Sequence, residues 1–137
     1  MPLKITLTLN TLIYIILLPF LEISPTHVFN PDWTGHARLH EVWQLATHFG
    51  LSIFSLFLIW RYQRLMSALF IQLMLNGGFL TAYALQSLYD GTMRHSNGSE
   101  LLIGGVNPAM AVMAGMSLAL VPMALKARKI KSSTVKD

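Results

Sequence analysis

Cysteine is absent from all 137 residues, which excludes disulfides, thiolate metal sites, cysteine nucleophiles and dithiol redox chemistry. Charge is scarce as well: Asp, Glu, Lys and Arg together make up 12% of the chain, against about 25% in soluble domains. No internal repeat or linker divides the chain, and it carries no phosphate loop, dinucleotide fingerprint or Ser-His-Asp motif. What is plentiful is apolar: 53% hydrophobic residues and a mean hydropathy of +0.51. The net charge of +4 does not point to nucleic acid, because Lys126, Arg128, Lys129, Lys131 and Lys136 form one basic tail beyond an apolar run.

A helix needs roughly 20 mainly apolar residues to cross a bilayer. Four stretches qualify, at residues 5–23, 40–60, 65–89 and 101–125, so the expected fold is all-α, a bundle of four transmembrane helices within residues 1–125, followed by a basic cytoplasmic tail at 126–137. Pro19 is expected to kink the first span, and Pro108 and Pro122 to break the fourth. The first run ends Leu21-Glu22-Ile23-Ser24-Pro25, without small residues at the spacing of a signal-peptidase site, and is read as a retained span.

Lys4, Arg61, Arg64 and the tail cations fall on one side of these spans, Arg38 and Arg94 on the other. Positive charge concentrates in cytoplasmic loops, so both termini are expected in the cytoplasm. The opposite face then receives Glu22, Asp32, Glu41, Asp90, Glu100 and all five histidines. A bacterial inner membrane suits a chain this short without sorting signals.

Polar side chains that face lipid cost free energy, so a polar arc on a membrane helix is expected to turn towards protein or water. Counting from His36 at 100° per residue, Thr47, His40, Gln44, His48 and Glu41 lie at roughly 20°, 40°, 80°, 120° and 140°. This arc is expected to face inward. On the third span Gln72, Asn76, Tyr83, Gln86, Ser87 and Asp90 share another arc, with Gln72 and Asn76 read as interhelical hydrogen bonders. The fourth offers a small-residue arc of Gly104, Asn107, Ala111, Ala114 and Gly115 for close helix approach, with Met110, Met113 and Met116 as adaptable packing.

The densest candidate site is FNPDWTGHARLHEVWQLATH, residues 29–48. Asn30-Pro31 signals a turn, and Asp32 or Thr34 suits the N-cap of the helix that follows. His36 and His40, four apart, stack on one helix face within reach of one divalent transition metal. Two imidazoles do not complete a site, and Asp32, Glu41, His48, His27, Asp90, His95 and Glu100 are the remaining donors at that level. His40-Glu41 opens a zincin motif, but Gln44 stands where its second histidine belongs. A bis-histidine haem would need a histidine inside the third or fourth span, and neither has one. Metal-free acid–base chemistry, such as double-bond isomerisation of a sterol-type substrate, needs a histidine tuned by an acid such as Glu41 or Asp90.

The run Asn30-Pro31, Trp33, His36-Ala37-Arg38, His40 resembles the signature of a family of small four-helix membrane proteins of unassigned activity, in which Asn-Pro-x-Trp precedes His-Ala-basic-x-His. The resemblance implies a shared bundle and a shared outer site. The expected function is binding, and in a stronger form transformation, of a small hydrophobic or lipid-like ligand. His36, His40 and Glu41 would be the catalytic groups, and Asp32, Gln44, His48, Tyr89, Asp90 and Asn107 the ligand-binding groups. A metal would sit on His36 and His40. Membrane lipids are the expected partners, with a homo-oligomer or a role as accessory subunit of a larger membrane complex as the alternatives.

Overall fold

A computed structural model describes the backbone of residues 2–134 and the side chains of residues 2–123 and 125. The described residues form four helices and no strand, only a single bridge pairing Ile103 with Val106. We label the helices α1 (Pro2–Glu22), α2 (Gly35–Arg61), α3 (Leu65–Leu88) and α4 (Pro108–Thr134). Among the described residues α1, α2 and α3 are long and apolar enough to cross a membrane, while the apolar part of α4, Pro108–Met123, is shorter. The side chains of the basic tail expected at 126–137 lie outside the described residues.

Local sequence accounts for a widened turn inside α1 and for the starts of α2 and α4. Pro19 lacks an N–H and its ring crowds the carbonyl four residues back, and the turn before it, Ile13–Leu17, widens to a π-helix in which Leu18 N–H donates to Ile13 O. Thr34 caps α2, its hydroxyl accepting from Ala37 N–H at 3.2 Å. The fourth helix begins at Pro108, not at the expected residue 101. Gly104 and Gly105 adopt φ of 60° and 81°, conformations that break a helix, and Asn107 Oδ1 accepts from Ala109 N–H at 3.0 Å at the new start. Leu101, Leu102 and Ile103 are apolar without being helical.

Helices α1 and α3 form the centre, each packing against the other three. Their contact is polar at mid-length. Gln72, 1% exposed, accepts from Asn10 Nδ2 at 2.9 Å and donates to Leu7 O at 2.9 Å and to Thr11 Oγ1 at 2.6 Å. One turn further, Tyr14 OH donates to Asn76 Oδ1 at 2.7 Å and lies 3.3 Å from Met113 Sδ of α4. Gln72 and Asn76 thus join helices as expected, with Asn10, Thr11 and Tyr14 as partners. On α4 it is Met113 and Leu120 that are buried, whereas Ala111 and Gly115 of the small-residue arc are exposed. Apolar clusters flank the amides: Leu7, Leu58, Ile59, Ala68, Leu69 and Leu120 at one end, and Tyr14, Leu75 and Met113 at the other.

At the end holding Lys4, the ammonium group donates to Gln63 Oε1 at 3.2 Å and sits 4.1 Å from the centre of the Trp60 ring, while Trp60 Nε1 donates to Thr8 at 3.1 Å. Lys4 therefore shares an end with the Arg61–Arg64 turn. Replacing Gln72 with Leu should destabilise the protein by about 1–3 kcal/mol, because Asn10 loses its acceptor where water cannot substitute. The substitution Phe70→Leu, at an exposed position of the same helix, should stay within about 0.5 kcal/mol. Reversible unfolding in mixed detergent measures both, and equal effects would contradict the amide pairing.

Candidate functional site

The polar arc of α2 divides. Glu41 and His48 are half-buried and lead into buried Ser52 and Ser55, whereas His36, His40, Gln44 and Thr47 are exposed. The expectation that the whole arc faces inward is therefore corrected. The arc is wider than the strip of α2 that α1 and α3 cover, and that strip is centred on Leu45, Ser52, Leu58 and Ile59. His48 packs edge-on against Tyr14 with ring centres 5.4 Å apart, and its Nδ1 is buried without a hydrogen-bond partner.

The exposed half of the arc borders a shallow groove of about 300 Å³ lined by His40, Trp43, Gln44, Thr47 and His48, three of them sequence-predicted site residues. At its end the Nε2 atoms of His36 and His40 lie 3.0 Å apart, their rings at 83°. The Trp43 ring follows, 5.8 Å from His40. The four-residue spacing sets this geometry, since residues i and i+4 lie above one another on a helix. Among the described residues no group of three His, Asp or Glu side chains is arranged to hold a metal ion.

The other predicted groups are dispersed. Asp32 is exposed, its backbone N–H bonded to Asn30 Oδ1 at 3.0 Å. Tyr89 turns back along α3 to donate to Ala82 O at 2.7 Å, and Asp90 lies just beyond the end of that helix with a φ of 55°. Asn107 starts α4 and donates to Glu100 at 3.4 Å. Among the described residues no hydrogen bond or ion pair joins Tyr89, Asp90 or Asn107 to the histidine pair.

A second cluster, not anticipated as a unit, ties the two loops at this end. Asn30, 1% exposed, donates to Ser96 Oγ at 3.2 Å and to Thr26 O at 3.1 Å, and its own carbonyl accepts from Arg38 Nε at 3.2 Å. Beside it His27 meets His95 at 5.1 Å between ring centres, and His27 Nε2 lies 3.4 Å from Glu22 Oε2. Loop residues have no periodicity, so nothing in their spacing announces contacts spanning more than sixty positions.

Protein-family models, curated proteins and solved structures contain no match to this chain. The functional reading therefore rests on the geometry.

Burial, and secondarily the neighbouring His95, hold the proton affinity of His27 below that of an ordinary imidazole in spite of Glu22 alongside. The folded state then resists a proton that the unfolded chain accepts. Stability is fully present above the ordinary histidine value of about 6.5 and falls as the pH drops below it. His27→Gln should remove part of this acid sensitivity, seen as a smaller loss of melting temperature between pH 7.5 and 5. A larger loss in the variant would mean that the Glu22 ion pair outweighs burial.

Proposed function

We propose that the chain crosses a membrane four times with both termini in the cytoplasm, and that the α2 groove binds a small hydrophobic or lipid-like ligand at the opposite face. The three long apolar helices support the membrane setting. For the fourth crossing, the apolar stretch of α4 is prolonged by exposed Leu101, Leu102, Ile103 and Val106 in the preceding loop. Orientation rests on the cations: Lys4 meets the turn that carries Arg61 and Arg64, so three positive charges gather at one end, as expected for a cytoplasmic face. A bacterial inner membrane fits this plan.

The groove carries the ligand reading. Gln44 and Thr47 are polar, exposed and a turn or more inward from His40, at a depth where bare polar groups facing acyl chains cost free energy. A ligand with an apolar body and one polar group removes that cost: its polar group meets Gln44, Thr47 or His40, and its body lies along Trp43 and the lipid. The groove is small and open, which suits a single chain or ring rather than a large headgroup. Catalysis is the stronger form of the proposal, with His36 and His40 as proton carriers and half-buried Glu41, the next residue along α2, as the acid.

Protein purified in mild detergent should retain a lipid or isoprenoid-like molecule in a fixed ratio, identified by extraction and mass spectrometry. The double variant Gln44→Ala, Thr47→Ala should lose most of it while keeping its melting temperature, since both side chains are exposed. Equal retention by variant and parent would remove the groove from consideration.

A further inference from the structure

We infer that the His36–His40 pair is half of a divalent transition-metal site that is completed by the same pair from a second copy of this chain, with the exposed stripe of α2 as the contact between copies. The inference rests on the membrane insertion proposed above but not on the ligand.

Two observations meet here. The first is an incomplete ligand set. The two Nε2 atoms converge to 3.0 Å at an exposed position, and tetrahedral coordination at about 2.0–2.1 Å per bond places two nitrogens about 3.3 Å apart, a few tenths of an ångström from what is present. Without metal, one ring donates its N–H to the other's lone pair; with metal, both lone pairs turn to the ion. No third donor is arranged nearby among the described residues. Arg38, the nearest cation in sequence, points its Nε back to Asn30 O at 3.2 Å, away from the pair.

The second observation is the stripe. His36, His40, Gln44 and Thr47 form a continuous polar line that neither α1 nor α3 covers. A turn beyond lies Gly50, where an added Cβ would meet nothing within 4 Å, leaving room for another backbone to approach. Two copies of one chain insert in the same orientation, so a two-fold axis relating them runs along the membrane normal. The two α2 helices are then parallel, and each residue lies at the same depth as its symmetry mate. The four imidazoles fall on one level. The second copy also roofs the groove, turning a shallow surface into an enclosed one.

The test uses the full chain, free of any histidine tag, stripped with chelator in mild detergent. Co²⁺ is added while visible absorption and mass by light scattering are followed, and Zn²⁺ is used to compete. We expect one metal per two chains, the intense absorption of tetrahedral cobalt, and conversion of monomer to dimer that chelator reverses. His36→Ala and His40→Ala should each abolish all three, and His27→Gln should leave them intact. Both mutated side chains are exposed, and the parent titration decides the matter even if a variant misfolds. One metal per chain without a change of mass, or no binding, overturns the inference. A metal-indifferent monomer that still carries its lipid refutes the metal bridge and spares the groove. A metal-bridged dimer that carries none does the reverse.

Discussion

A polar group removed from water must find its partner inside the protein, and in this chain that constraint is met chiefly by one side chain. Gln72 satisfies both halves of its amide at once, accepting from Asn10 and donating to Thr11 and Leu7 O, and so fixes the register of α3 on α1. With that register set, Tyr14 reaches Asn76 one turn along, Met113 of α4 seats beside the phenol, and His48 of α2 stacks against its edge. Every helix therefore touches a residue whose position follows from the Gln72 bonds. In the proposed membrane setting, apolar packing cannot supply such register, because lipid is as favourable a neighbour for Leu as another Leu is.

The same constraint gives meaning to the side chains that do not meet it. Asn10 Oδ1, Asn76 Nδ2, His48 Nδ1 and the hydroxyls of Ser52 and Ser55 are buried without partners, and on the outer surface of α2 Gln44 and Thr47 face away from the protein. In the inner group Asn10 and Asn76 each still have one half of the amide bonded within the network. The outer group has no network at all, which is why the groove and the histidine pair, rather than the interior, carry the functional proposals. Loop contacts at Asn30 hold the approach to α2, whose first turn Thr34 caps.

Hydropathy was a sound guide to the three long helices, because span length and apolar content are properties of a window rather than of a contact. It misplaced the start of α4, since Leu101-Leu102-Ile103 is as apolar as any helix while Gly104 and Gly105 take conformations a helix cannot. Helical spacing showed that His36 meets His40 and that Gln72 and Asn76 share a face. Their partners were less visible: Asn10 is one polar residue in an apolar span, although its four-residue spacing from Tyr14, matching that of Gln72 and Asn76, was a usable signal. The direction of the α2 arc does not follow from its pattern, for a more general reason. Amphipathicity reveals that a helix has a polar face, not whether that face meets its own bundle, a ligand or another chain.

Because the chain has no cysteine, single cysteines can be introduced without background, and a membrane-impermeant maleimide then reads both sidedness and exposure in intact membranes treated with chelator. The account predicts rapid labelling of His36→Cys and His40→Cys from the face opposite a Tyr62→Cys control, and protection of Ser52→Cys and Ser55→Cys from either side. Labelling of Ser52→Cys as fast as His40→Cys, or labelling of His40→Cys from the same side as Tyr62→Cys, would contradict it.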